Sequence, residues 1–112
     1  MFENIFLERV MFMSSSELVI SQNGIVLVDF YATWCGPCQM LSPVIDSIKQ
    51  KNIENLEIIK VDIDENPEIA SKYQVMSVPT LLFFCDGNLV KQTVGFMPEE
   101  KICSIIDEIS KA

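Results

Sequence analysis

An α/β fold, with helices on both faces of a mixed five-stranded sheet in the order βαβαβαββα, is the architecture this sequence predicts. Three observations predict it. Two apolar runs rich in β-branched and aromatic residues, Ile25 to Tyr31 and Leu56 to Ile63, have the near-continuous hydrophobicity of strands buried on both faces. Between them lies an amphipathic helical pattern, and strands joined through helices need right-handed crossovers that put helices on both faces of the sheet. Further on, Asp86-Gly87 separates two more strand-like runs and marks an antiparallel hairpin. The 112 residues suit one domain over residues 1–112, long enough to bury about two-thirds of the unfolded surface.

Taken in order, Ile5 to Met11 reads as a weak first strand. A short helix around Ser15 to Gln22 follows, with three serines available as caps, and Asn23-Gly24 stops it. After the strand Ile25 to Tyr31, a helix runs from about Cys35 to Lys51 with Leu41, Val44, Ile45 and Ile48 on one stripe. Pro43 lies within it and predicts a kink. Leu56 to Ile63 is the next buried strand. Asn66-Pro67 then places a cap and a first-turn proline before a short helix to about Tyr73. Pro79 opens the strand to Cys85, where its missing N–H is tolerated, and Leu89 to Val94 returns antiparallel. The last helix opens at Pro98-Glu99-Glu100 and carries Ile102, Ile105, Ile106 and Ile109 inward; its acidic first turn and Lys111 at its end suit the macrodipole.

Composition narrows the function. Hydrophobic residues at 49% and charged ones at 21% are ordinary for a globular chain and exclude disorder. Eight basic against sixteen acidic residues leave a net charge of −8, which disfavours nucleic acid and anionic membranes as partners. There is no histidine, so Ser-His-Asp and Cys-His catalysis and imidazole zinc sites are excluded. No stretch reaches the ~18 apolar residues of a membrane span. Glu3, Glu8 and Arg9 interrupt the start, which lacks the pattern of a signal peptide. A cytoplasmic location is the default expectation, and there a cysteine pair is more often catalytic or metal-binding than structural.

The pair is Cys35 and Cys38 in Trp34-Cys35-Gly36-Pro37-Cys38, where a buried strand hands over to a helix. Cysteines three apart on a helical turn point the same way, close enough for a disulfide. Unpaired N–H groups at the helix start stabilise a thiolate. At about 100° per residue, Cys38 falls nearer the apolar stripe, with Cys35 about 60° further round and nearer solvent. Cys35 is therefore expected to be the exposed attacker and Cys38 the sheltered resolver. A structural pair or half of a zinc site is the bland alternative, but for zinc Cys85 and Cys103 are not spaced as a second C-x-x-C. Asp29 is the other informative residue. A carboxylate within an apolar strand should have its pKa raised by burial, and it could accept the Cys38 proton; the alternative is an aspartate at the strand end that reaches solvent.

The run Val28-Asp29-Phe30-Tyr31-Ala32-Thr33-Trp34-Cys35-Gly36-Pro37-Cys38, with Val78-Pro79-Thr80 and Asp86-Gly87 downstream, resembles the thioredoxin family from about Ile5 to the C-terminus. Tyr31 departs from it, standing where many members have tryptophan. The resemblance implies the thioredoxin-like three-layer α/β/α sandwich and a protein-disulfide reductase. In that reading Cys35 attacks a substrate disulfide, Cys38 resolves the mixed disulfide, and Asp29 is the buried proton acceptor with Lys60 nearby. It implies that Pro79 follows a cis bond, and that Trp34, Gly36, Pro37, Val78, Pro79, Gly95 and Phe96 surround the cysteines. Of these, Gly36 and Pro37 also tune the redox pair, and Val78 offers its backbone to an extended substrate. An NADPH-dependent flavoprotein reductase would supply the electrons, so no bound cofactor is expected, and the chain would act as a monomer on disulfide-containing proteins. Cys85 and Cys103 lie outside the motif and read as small half-buried hydrophobes. A disulfide oxidase or isomerase, and a binding subunit with incidental redox activity, are the rival readings.

Overall fold

The computed structural model describes residues 18–112. Their elements are β1 (Ile25–Tyr31), α1 (Gly36–Gln50), β2 (Leu56–Asp62), α2 (Pro67–Lys72), β3 (Thr80–Cys85), β4 (Asn88–Val94) and α3 (Glu99–Lys111). The strands form one mixed sheet in the order β2-β1-β3-β4. β1 runs parallel to β2, and antiparallel pairing joins β1 to β3 and β3 to β4. The expected strand Ile5 to Met11 lies outside the described residues, so the sheet of the described residues has four strands rather than five.

Strand alternation builds the layers. Ile25 and Leu27 project to one face of β1, where Leu81 and Phe83 of β3 join them under Leu41, Ile45 and Ile48 of α1 and Ile102, Ile105 and Ile106 of α3. Val26, Val28 and Phe30 project to the other, against Leu82, Phe84 and the Ile69 and Ala70 of α2. This is an α/β/α sandwich. Asp29 shares the parity of Ile25 and Leu27, which turns it toward α1. The hairpin closes at Asp86 (φ 49°) and Gly87 (φ 88°), both left-handed, as a two-residue turn between twisted strands requires.

Several expectations need correction. β2 is not a fully buried strand: Val61 is buried, but Glu57 and Lys60 are exposed and the other residues only partly covered. Glu57 and Lys60, three apart and so one on each face of the strand, are the signal in the sequence that neither face is fully covered. Of the helix expected from Ser15 to Gln22, the start lies outside the described residues, and residues 18–22 are not helical. Val19 and Ile20 are β-branched, and the Ser21 hydroxyl turns the chain by accepting the Asn23 N–H at 3.2 Å while Leu18 and Ile20 pack on the core. Asn66 stands at the N-cap of α2 without capping it; its Nδ2 donates instead to the Asp62 carbonyl at 3.1 Å.

Candidate active site

The β1–α1 junction builds the site. β1 ends at Tyr31, the loop carries Thr33 and Trp34, and Cys35 occupies the N-cap of α1 with an extended backbone (φ −92°, ψ 117°). From there its sulfur accepts the backbone N–H of Cys38 at 3.2 Å. A sulfur that caps a helix in this way is held among unpaired donors at the positive end of the dipole, and the first turn of α1 has no acidic side chain to oppose it. Pro37 lies in that turn, where a missing N–H is harmless. Cys35 and Cys38 form a disulfide, with Cα atoms 5.2 Å apart.

The expected difference in exposure between the two cysteines is not seen, since Cys35 is 6% and Cys38 5% exposed. A helical projection counts only the helix, whereas Ala32, Tyr31, Ile63 and Val78 pack around the pair from outside it. What separates the sulfurs is the space each faces. Cys35 lines an open groove of about 520 Å³ with Trp34, Gly36, Pro37, Ile63, Met76, Ser77 and Val78. The Val78 carbonyl oxygen lies 3.7 Å from Cys35 Sγ. Cys38 lines a second cavity, about 260 Å³, with Asp29, Lys60, Ser42 and Tyr31.

Asp29 is 2% exposed, and its Oδ1 has no hydrogen-bond partner among the described residues. Burial pushes its carboxyl up from 3.8 to about 6, while the positive charge of Lys60 pulls the other way. Lys60 faces Asp29 in the β1–β2 register; its Nζ donates to Ser42 Oγ at 3.2 Å and lies 5.5 Å from the centre of the Tyr31 ring. The strand-end alternative, an aspartate reaching water, is thereby excluded.

On the other side of the pair, the Val78-Pro79 peptide is cis, and the Pro79 carbonyl accepts the Gly95 N–H at 2.8 Å. This ties Gly95 (φ 96°) beside the groove; neither Gly95 nor Phe96, which is 42% exposed, is part of its wall. Trp34 is 68% exposed and oriented by a 2.8 Å bond from its Nε1 to Asp64 Oδ2. The sequence reading missed Ile63, Asp64, Met76, Ser77 and Ser42. Ile63, Asp64, Met76 and Ser77 carry no local mark, because they reach the site through β2 pairing and the loop before Pro79. Ser42 sits on α1 one turn after Cys38, and its spacing from Cys38 is the signal that could have found it. Cys85 and Cys103 are free and half-buried. Among the described residues, no three Cys, Asp or Glu side chains gather as metal ligands.

A capped, dipole-assisted sulfur paired with a second one over a buried carboxyl can exchange thiol for disulfide. The thioredoxin family model matches residues 10–108 of this chain. The chain belongs to the thioredoxin family. A Staphylococcus aureus thioredoxin is 47% identical over 87 residues, which make up 78% of this chain and 84% of that protein. Among solved structures, a mutant thioredoxin from Halobacterium salinarum superposes with a TM-score of 0.72 at 44% identity, covering 79% of this chain and 76% of its own. The Fasciola hepatica thioredoxin gives 0.71 at 36% identity, covering 78% and 83%. Thioredoxins are protein-disulfide oxidoreductases, and this chain carries their redox-active cysteine pair. They need no bound cofactor, act on disulfide-containing proteins and are themselves served by a reductase.

Proposed function

We propose that this thioredoxin is a general protein-disulfide reductase in which Cys35 attacks and Cys38 resolves. The Cys35 thiolate attacks one sulfur of a target disulfide; a Cys35–target bond forms, the target's S–S bond breaks, and one target thiolate leaves. Cys38 then gives its proton to Asp29 and attacks Cys35 Sγ, expelling the second target thiolate. The target gains two electrons, and the chain is left as the Cys35–Cys38 disulfide. An NADPH-dependent flavoprotein thioredoxin reductase returns the two electrons. Gly36, Pro37 and Lys60 tune the pair, while Trp34, Val78, Pro79, Gly95 and Phe96 receive the target, with the Val78 main chain pairing to its extended segment.

The observation that carries this reading is the division of the site. One sulfur faces the surface groove, where a target disulfide can arrive, and the other faces the cavity of a buried carboxyl with a raised pKa. The same reading takes residues 1–112 as a single domain acting as a cytoplasmic monomer, with neither nucleic acid nor membrane as partner. Among the described residues, no helix is long and apolar enough to cross a membrane. Insulin reduction with dithiothreitol as electron donor tests the assignment of roles. Cys35→Ser should abolish the catalysed rate, and Cys38→Ser, reduced and then freed of dithiothreitol before insulin is added, should stop at a covalent adduct of protein and insulin chain visible by mass. Full activity in Cys35→Ser would contradict it.

A further inference from the structure

The groove beside Cys35 is lined by a second large exposed apolar side chain that the disulfide chemistry does not use. Met76 is 93% exposed, in the loop before Pro79, and lines the groove together with the motif residues. Trp34, the other large exposed apolar side chain of the groove, is fixed by its bond to Asp64. The groove is therefore lined by one held aromatic side chain and one unbranched, adaptable thioether, and the reactive sulfur shares that lining. Two large exposed apolar side chains lining one groove beside a nucleophilic sulfur are placed to contact whatever that sulfur captures.

We propose that Met76 is a specificity-determining docking residue, selecting targets whose extended segment carries an apolar side chain two residues from the attacked cysteine. This rests on the reading of the groove as the target-docking surface. The occupant follows from the chemistry: the mixed disulfide tethers the target segment at Cys35, and in an extended segment side chains two apart project to the same face. A residue two places from the target cysteine is thus carried toward the groove walls along with it, into a space of about 520 Å³. An apolar side chain there leaves water against Met76, whereas a polar one gives up hydration with no partner, because the Met76 thioether is at most a weak acceptor.

The test uses extended peptides with one cysteine in mixed disulfide with β-mercaptoethanol, carrying either Leu or Gln two residues before or after it. Hydroxyethyl disulfide is the control substrate and dithiothreitol the electron donor. The native chain should reduce the Leu peptide with a KM about fivefold lower than the Gln peptide at similar kcat. Met76→Gln, a polar side chain of similar length, should erase that preference, and Met76→Leu should keep it. All three proteins should reduce hydroxyethyl disulfide at the same rate. A preference that survives in Met76→Gln overturns the proposal, as does equal slowing of that variant on hydroxyethyl disulfide, which would place Met76 in the chemistry or the fold. Failure of the native chain on hydroxyethyl disulfide would instead overturn the reading of the groove, and this proposal with it.

Discussion

Asp29 concentrates the physics of the site in one side chain. Its folded pKa of about 6 lies above the ordinary 3.8, so between those values the folded chain holds a proton that the unfolded chain has released. Stability therefore falls as pH rises through that window, and above about pH 6 the full penalty, about 3 kcal/mol, is present. Asp29→Asn should be more stable than the native chain at pH 7–8 by up to that amount and equally stable near pH 3. Urea midpoints across pH check this, and parallel profiles for the two proteins would contradict it. The same substitution should slow the resolving step, so the mixed disulfide accumulates in rapid-quench samples while the first attack is unchanged. Asp29 was legible in the sequence because a lone carboxylate in Ile25 to Tyr31 has few routes to water. Met76 was not, because its exposure and its place in the groove are set by the loop before Pro79.

At the scale of elements, α1 is held by its apolar stripe and started by its cap. Leu41, Ile45 and Ile48 are fully buried, and Val44 only partly. Ile45→Ala should cost about 2–5 kcal/mol through lost contacts and a cavity, read as a lower urea midpoint. An unchanged midpoint would mean that α1 is not anchored by this stripe. The entry to β1 is equally constrained. Gly24 has φ 82°, and a Cβ there would meet the Asn55 carbonyl oxygen at 2.7 Å, so Gly24→Ala should destabilise by more than the ~1 kcal/mol of left-handed strain alone. Stability within that ~1 kcal/mol would show that the Asn55 backbone yields. β1, α1 and the hairpin were read from the sequence to within a residue or two because hydrophobic period, motif and turn chemistry agree there. Leu56 to Ile63 looks more buried than β2 is because Leu56, Ile58, Ile59, Val61 and Ile63 are all aliphatic. Residues 18–22 look helical because three serines before them and Asn23-Gly24 after them supply a cap and a stop. Hydrogen bonding to Asn23 and packing of Leu18 and Ile20 decide that case.

The whole molecule places one strand–helix junction between two cavities. The sheet alternation that turns Asp29 toward α1 also turns Val26, Val28 and Phe30 away toward α2, so the carboxyl and Cys38 share a face by parity. The layered fold was legible because the continuous apolar run of β1 needs cover on both of its faces, and the amphipathic stripes of α1 and α3 supply it on one of them. The equal burial of the two sulfurs was not, since it depends on Ile63 and Val78 arriving from distant segments. The central claim is that Cys35, at the start of α1, is a thiolate nucleophile and Cys38 is not. Its most direct measurement is iodoacetamide alkylation of the reduced protein at pH 7, mapped by mass to each cysteine. Cys35 should react at least about tenfold faster than a free peptide thiol, with Cys38, Cys85 and Cys103 lagging behind it. Alkylation of Cys35 at the rate of a free peptide thiol, or after Cys38, would contradict the account.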